Sequence, residues 1–179
     1  TIKVASRENI LNELSSFELD IAITGTVPLS KELITQSFGD HPLIFISSPK
    51  SPLAKKRRIK KVELITEKIL TREKDSGTFN TLQSFLDDTK LAYEPSMTVV
   101  GSNETIKQAV ISNLGIAMIS EHCCYNEIKN NLLCKLNVDG LPIIKKWYAT
   151  KIKTRQLSYA SSLLYDYILK KANKFLPRN

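Results

Sequence analysis

The chain has 179 residues, of which 42% are hydrophobic and 25% are charged, and its formal net charge is +8. This length suits one ordinary domain or two small lobes with a real core, and the composition is ordinary for a globular protein. No apolar run approaches the roughly 20 residues that a membrane span needs, and no basic-then-apolar signal segment opens the chain. We therefore expect a cytoplasmic protein without membrane contact.

The cysteines and histidines argue against a metal site or a disulfide framework. Cys123 and Cys124 are adjacent, Cys134 makes an odd third, and neither His41 nor His122 lies at a zinc-ligand spacing. The sequence predicts no metal, no cofactor and a reducing compartment.

Much of the positive charge lies in Lys50–Lys61. Such a cluster can contact phosphates, but it has no interleaved aromatic residue and no DNA-reading motif beside it. We interpret it as a solvated loop or first helical turn, with phosphate contact as the alternative.

Hydrophobic periodicity predicts a mixed αβ order throughout. In the first part of the chain we expect a strand over Ile2–Ala5, a helix from Arg7 to about Ser16 capped by Ser6, a turn and buried strand over 18–23, and two strands over Leu33–Ser37 and Leu43–Ser47 separated by a Gly39–Asp40 turn. In the middle we expect a helical turn at Val62–Leu64, a strand over Lys68–Thr71 and a helix containing Phe79–Leu86. The last part should contain a helix over His122–Lys129, strands near Leu132–Leu136 and over Ile143–Ile152, and a helix from Gln156 to about Lys174 capped by Ser158. The last helix should bury Ala160, Leu163, Leu164, Tyr167, Ile168 and Ala172.

The stretch from Met97 to Ser120 is the most informative one. Two apolar strand-like runs, Met97–Val100 and Ile116–Ile119, flank a helical pattern that ends at Asn113 and Gly115, and such a unit predicts parallel pairing with a crossover helix. In such folds, ligands bind beyond the carboxyl ends of the strands, where helix N-termini offer free N–H groups. Gly101, Ser102 and Asn103 form such a corner, although they can also simply turn and cap the chain.

Two other corners combine glycine with hydroxyl groups. Thr24, Gly25 and Thr26 follow the strand that ends near Ile23. Ser76, Gly77 and Thr78 open a helix, where the glycine would let a ligand approach the backbone and the hydroxyls could donate to an anion. Taken alone, this second motif is usually only a cap.

Six short segments in a characteristic order together resemble the effector-binding domain of LysR-type transcriptional regulators, over nearly the whole chain. They are Leu19–Ile23 (LDIAI), Ser51–Ala54 (SPLA), Ser76–Thr78 (SGT), Gly101–Val110 (GSNETIKQAV), Leu114–Ser120 (LGIAMIS) and Leu157–Ala160 (LSYA). The GSNETIK variant and the closing WYAT are most similar to the branch that regulates RuBisCO-operon or cysteine-regulon genes.

The resemblance implies an α/β, two-lobed fold like that of type 2 periplasmic binding proteins, in which each lobe is a mixed sheet flanked by helices and two crossing segments form the hinge. Lobe I would comprise 1–48 plus 147–179, and lobe II 49–146. A small, anionic effector would bind in the cleft between lobes. It would be lined by Thr24, Gly25 and Thr26 from lobe I and by Ser76, Gly77, Thr78, Gly101, Ser102 and Asn103 from lobe II.

Two departures leave the effector class open. Ser51 stands where the family often has histidine, and Phe79 stands where arginine commonly follows the SGT motif. Without that arginine, a bidentate partner for a carboxylate or phosphate is missing.

The resemblance also implies partners. Family members form homodimers or homotetramers through this domain, so an exposed apolar patch is expected on the helix Arg7–Ser16 or the helix Gln156–Lys174. The family's first strand and helix, and its DNA-binding winged helix-turn-helix, would precede Thr1. DNA would therefore be contacted only through that missing N-terminal domain.

Two other classes of protein are alternatives. A solute-binding protein of a transporter would share the fold. An enzyme is disfavoured because no nucleophile, acid and base converge: His122 is adjacent to Cys123 on a helix, where neighbours point apart, and Glu73 and Glu104 are more simply carboxylates that favour helix N-termini.

Overall fold

The computed structural model describes residues 1–74, 76–87 and 95–177. The chain forms two compact units, Thr1–His41 with Lys145–Asn179 (unit 1) and Pro42–Ile144 (unit 2). The helices are α1 (Arg7–Ser15), α2 (Lys61–Leu64), α3 (Gly77–Asp87), α4 (Asn103–Ile111), α5 (Glu121–Lys129) and α6 (Tyr159–Phe175), with a 3-10 turn at Pro52–Lys55. The strands are β1 (Ala22–Thr24), β2 (Leu33–Ser47), β3 (Ile69–Thr71), β4 (Met97–Val99), β5 (Ile116–Ser120), β6 (Cys134–Lys135) and β7 (Ile143–Ile152).

Strands β2 and β7 each run from one unit into the other. The change of unit falls at His41/Pro42 in β2 and at Ile144/Lys145 in β7. The two crossing segments are therefore continuous strands.

Unit 1 is built around the antiparallel pair of β1 and β7, in which Ala22 faces Thr150 and Thr24 faces Tyr148. Helix α1 covers this pair through the fully buried Leu14, which packs with Ala22 and Ile152. Because α1 is short, most of its stability comes from this buried contact rather than from helix propensity.

Unit 2 is a sheet with helices on both faces. Its part of β2 pairs antiparallel with β5, which is parallel to β3, and β3 is parallel to β4. Successive strand residues point to opposite faces, so Leu43 and Phe45 join the cluster under α3, and Ile44 and Ile46 join the cluster under α4 and α5. Burial on both faces explains why these strands are continuous apolar runs.

The predicted caps Ser6 and Ser158 are confirmed, and at the third helix start, where Ser102 and Asn103 were both candidates, the cap is Ser102. The hydroxyl of Ser6 accepts from the Asn9 N–H, that of Ser102 from the Thr105 N–H, and that of Ser158 from the Ser161 N–H.

The predicted strand over Ile2–Ala5 is wrong. Ile2 and Val4 are 95% and 94% exposed, and residues 1–6 have no regular structure. A strand needs a pairing partner and a buried face, and this segment has neither among the described residues.

The predicted turn at Gly39–Asp40 is also wrong, because β2 runs without interruption from Leu33 to Ser47. A Cβ on Gly39 would lie 2.5 Å from Cδ1 of Leu176. The glycine therefore lies in close contact with another side chain and does not form a turn.

Two further expectations need correction. Strands β4 and β5 are parallel but do not pair with each other, because β3 lies between them. In α6 the buried residues are Tyr165 and Ala172, and most of the large apolar residues of the predicted stripe are exposed.

Candidate functional site

Three helices of unit 2 begin at the same edge of its sheet. Because β3, β4 and β5 are parallel, their carboxyl ends lie together, and the chain continues from them into α3, α4 and α5. Ser76–Thr78 and Gly101–Asn103, predicted from sequence as two separate corners, are thus brought to one edge. We call this region the unit 2 edge.

Ser76 caps α3. Its Oγ accepts from the N–H groups of Thr78 and Phe79, at 3.2 Å and 3.5 Å, and its own N–H donates to Glu73 O at 2.9 Å. A hydroxyl that accepts in this way still carries a hydrogen that it can donate. Ser76, Gly77 and Thr78 are all half-buried, so a small ligand can reach them.

Ser102 caps α4 in the same manner. Its Oγ accepts from the Thr105 N–H at 3.0 Å and lies 2.8 Å from Thr105 Oγ1. The preceding residue, Gly101, is exposed, and a Cβ built on it would have no described atom within 4 Å. Neither packing nor a positive φ requires glycine at this position. A glycine here does leave the backbone accessible to a ligand.

Asn103, the first residue of α4, is held between two neighbours. Its Oδ1 accepts from a guanidinium nitrogen of Arg72 at 3.2 Å, and its Nδ2 donates to Sγ of Cys123 at 3.7 Å. The Asn103 amide therefore links the segment after β3 to the first turn of α5.

Arg72 is a residue that sequence reasoning missed. It follows the last residue of β3, and its Nε and Nη2 donate to the two carboxylate oxygens of Glu73 at 2.8 Å and 2.6 Å. This hydrogen bonding to Arg72 lowers the pKa of Glu73. The available signal was an Arg–Glu pair directly after a buried strand, but Glu73 was interpreted only as a helix N-terminal carboxylate. The unit 2 edge therefore has a guanidinium even though Phe79 follows the SGT motif.

Lys107 is a second cation in this region, and two carboxylates neutralise its charge. Its Nζ pairs with Glu104 at 2.9 Å and with Glu127 at 2.6 Å, and its side chain is almost completely buried. Burial alone would lower the pKa of Lys107, but the hydrogen bonds with Glu127 and Glu104 outweigh it and raise the pKa. This triad fastens α4 to α5.

The neighbouring cysteines are neutral thiols. Burial raises the pKa of Cys123 and raises that of Cys124 to about 12. Since the thiolate is the reactive form, this environment does not favour a cysteine nucleophile beside His122.

The corner Thr24–Thr26 lies in unit 1 and is closely packed. Thr24 is buried, and its Oγ1 donates to Thr26 O at 2.8 Å. A Cβ on Gly25 would lie 2.9 Å from both Cε1 and Nδ1 of His41, whose ring stacks on Trp147 with 3.7 Å between centroids. His41 and Trp147 are thus further residues of this corner, and nothing in the local sequence connects them to it.

Within the described ranges, no group of three or more His, Cys, Asp and Glu side chains is arranged to hold a metal ion. The same residues include no helix with the length and apolarity of a membrane span.

A family model for the LysR substrate binding domain matches residues 1–173. The chain is 39% identical over 174 residues to the HTH-type transcriptional regulator CbbR of Sinorhizobium medicae, covering 97% of this chain and 56% of that protein. It is 32% identical over 168 residues to the HTH-type transcriptional activator CmpR of Synechocystis, covering 94% and 55%. The chain belongs to the LysR substrate binding domain family, and it spans just over half the length of the curated relatives it matches.

The solved structures agree with this assignment. The regulatory domain of Synechocystis PCC6803 CcmR in complex with 2-PG superposes with a TM-score of 0.86 at 31% identity, covering 99% of this chain and 85% of that one. The effector binding domain of QuiR in complex with shikimate reaches 0.81 at 17% identity, which supports the fold alone. The predicted type 2 periplasmic-binding-protein-like α/β fold is confirmed. A further relative, the RuBisCO operon transcriptional regulator of Allochromatium vinosum, is 31% identical over 171 residues, covering 96% of this chain and 56% of that protein. The resemblance to the RuBisCO-operon branch is thus confirmed, and the transporter alternative is not favoured.

Proposed function

We propose that this chain is the effector-sensing domain of a DNA-binding transcriptional regulator and that it binds a small anionic metabolite at the unit 2 edge. The observation that carries the proposal is the convergence of three helix starts, two capping serines and Arg72 at that edge. It is supported by the 2-PG complex of the similar CcmR domain.

The chemistry of the edge suits an anion. The helix N-termini of α3, α4 and α5 bring partial positive charge to the same side of the sheet. Ser76 and Ser102 add hydroxyl donors, and Asn103 adds an amide. We assign effector binding to Ser76, Gly77, Thr78, Gly101, Ser102 and Asn103, and Thr24, Gly25 and Thr26 stay a prediction for unit 1.

Effector binding would alter the conformation of β2 and β7, the two strands that connect the units. In a cytoplasmic homo-oligomer, this change would be transmitted to the DNA-binding domains, which lie outside this chain. An effector can shift such an equilibrium only by its differential affinity for the two states.

Helix α6 supplies an apolar surface that suits such an oligomer. Leu163 and Leu164 are each 53% exposed, Tyr167 is 49% exposed, and Tyr159 and Phe175 extend the same helix's exposed apolar surface. Several large apolar side chains exposed on one helix are typical of an interaction surface. Replacing Leu163 and Tyr167 with serine should leave the fold of one subunit intact and lower the mass measured by sedimentation or light scattering. An unchanged mass would argue against this surface.

The binding proposal is tested by isothermal titration and thermal shift against 2-PG, sugar phosphates, phosphoenolpyruvate, nicotinamide nucleotides and O-acetylserine. A ligand at about 100 times its Kd should stabilise the native state by roughly 2.7 kcal/mol. Thr78→Ala and Ser102→Ala should weaken binding. Ser84→Ala, which changes an exposed serine of α3 away from the edge, is the matched control.

If the ligand binds the wild type but neither edge variant weakens it, the site lies elsewhere. If no anion in the panel binds, the proposal of an anionic effector at this edge is wrong.

A further inference from the structure

The ion pair of Arg72 and Glu73 has a geometry that matches recognition of an anionic ligand. The guanidinium presents two parallel N–H groups to the carboxylate, at 2.8 Å and 2.6 Å, and this fork is the one that arginine uses for carboxylates and phosphates. Its remaining terminal nitrogen donates to Asn103. The guanidinium is therefore held next to Asn103, the first residue of α4.

We propose that Glu73 is an intramolecular competitor of the effector: its carboxylate occupies Arg72 in this structure, and the anionic group of the effector replaces it there. The inference rests on the proposed function and deepens it by naming the cation that binds the effector and the group that the effector displaces.

Three observations favour Arg72 over other cations. Phe79 provides no charge where a second guanidinium would follow Thr78. Lys107 is nearly buried and is held by two carboxylates of α4 and α5. Arg72 contacts Asn103 directly, and among the described residues its one carboxylate partner is its neighbour Glu73.

The pair is also accessible for exchange. The side chains of Arg72 and Glu73 are 19% and 33% exposed, so water and a small anionic ligand can reach both groups. A ligand with a single carboxylate would replace Glu73 with an equal charge and gain little. A ligand with a doubly charged phosphate would gain more, so the pair should select phosphate esters over monocarboxylates of the same size.

The test compares Glu73→Gln with Glu104→Gln by isothermal titration of 2-PG and of inorganic phosphate. Each variant removes one negative charge near the edge, but Glu104 contacts Lys107 and not Arg72. Glu73→Gln should tighten binding by about fivefold, because the ligand no longer has to displace a charged carboxylate from Arg72, and Glu104→Gln should do so by less than about twofold.

Arg72→Gln and Arg72→Lys complete the cycle. Both should weaken binding, with lysine the milder change because it keeps the charge and loses the fork. In the Arg72→Gln background, adding Glu73→Gln should bring no further gain, since the two residues act through one contact. Circular dichroism and the melting temperature establish that each variant is folded.

The outcomes separate the two proposals. If the wild type binds 2-PG and Glu73→Gln binds it equally or more weakly, the competitor role is wrong while the effector site stands. If Arg72→Gln and Arg72→Lys, both folded, bind as the wild type does, Arg72 is not the cation. If neither the wild type nor Glu73→Gln binds any anion tested, both proposals fall.

Discussion

The glycine–hydroxyl corners of unit 1 and unit 2 are similar in sequence and different in structure. At Gly25 an added Cβ would meet the His41 ring, whereas at Gly101 it would meet no described atom. The Thr24 hydroxyl is buried and donates to Thr26 O, while the Ser102 hydroxyl lies at an accessible helix start. At Gly25 a neighbouring ring thus fills the space beside the glycine, whereas the space beside Gly101 is open. A glycine between hydroxyl residues therefore does not identify a binding site until its surroundings are known.

The largest expected effect is on stability in unit 1. Gly25→Ala should lower the free energy of unfolding by about 1–3 kcal/mol, because the new methyl group must displace the His41 ring from its stack on Trp147. Gly101→Ala should change it by less than about 0.5 kcal/mol. Urea denaturation followed by the fluorescence of the sole tryptophan measures both. Equal effects of the two substitutions would contradict the contrast between the corners.

The second prediction separates capping from binding at the unit 2 edge. Ser102→Ala should cost about 1 kcal/mol, because the Thr105 N–H loses its acceptor. Ser102→Asp should retain the cap and most of the stability, since aspartate is an equally good N-cap. It should nevertheless abolish anion binding, because it places a negative charge where the ligand would bind. A Ser102→Asp variant that binds 2-PG as well as the wild type would remove Ser102 from the site.

The smallest expected effect concerns pH. Hydrogen bonding to Arg72 lowers the pKa of Glu73, so the unfolded chain takes up this proton before the folded one does. The stabilisation is therefore present above the unfolded pKa and is lost as pH falls through the lower, folded pKa. It should amount to less than about 1 kcal/mol because water reaches the pair.

Glu73→Gln should accordingly be slightly less stable than the wild type at neutral pH, and the difference should shrink on acidification. Denaturation curves at neutral pH and at about pH 3 test this, with Asp87→Asn as a surface control. A difference that grows as pH falls would contradict the assignment of the pair.

The sequence predicted those features that neighbouring residues decide. Ser6 and Ser158 lie within three residues of the N–H groups they cap, so the local pattern was sufficient to identify them, and for α4 it narrowed the cap to Ser102 or Asn103. The buried strands of unit 2 were also predictable, because apolar β-branched runs bounded by turn residues have few other solutions.

The sequence did not predict features that depend on distant residues. The sequence predicts a turn at Gly39 because the residue that contacts it, Leu176, is far away in the chain. The contact of Arg72 with Asn103 likewise joins residues that are 31 positions apart. Helix α6 has apolar residues on more than one face, so periodicity alone could not show that Tyr165 would be buried and Leu163 exposed.

The contact between Gly39 and Leu176 has a consequence for comparing homologues and for protein engineering. A leucine methyl group occupies the volume that a Cβ would need, so alanine at position 39 requires the Leu176 side chain to take another rotamer. Homologues with alanine or serine at position 39 should therefore have either a smaller residue at position 176 or a leucine that points elsewhere. By the same reasoning, any loss of stability in a Gly39→Ala variant should disappear when Leu176→Ala is added.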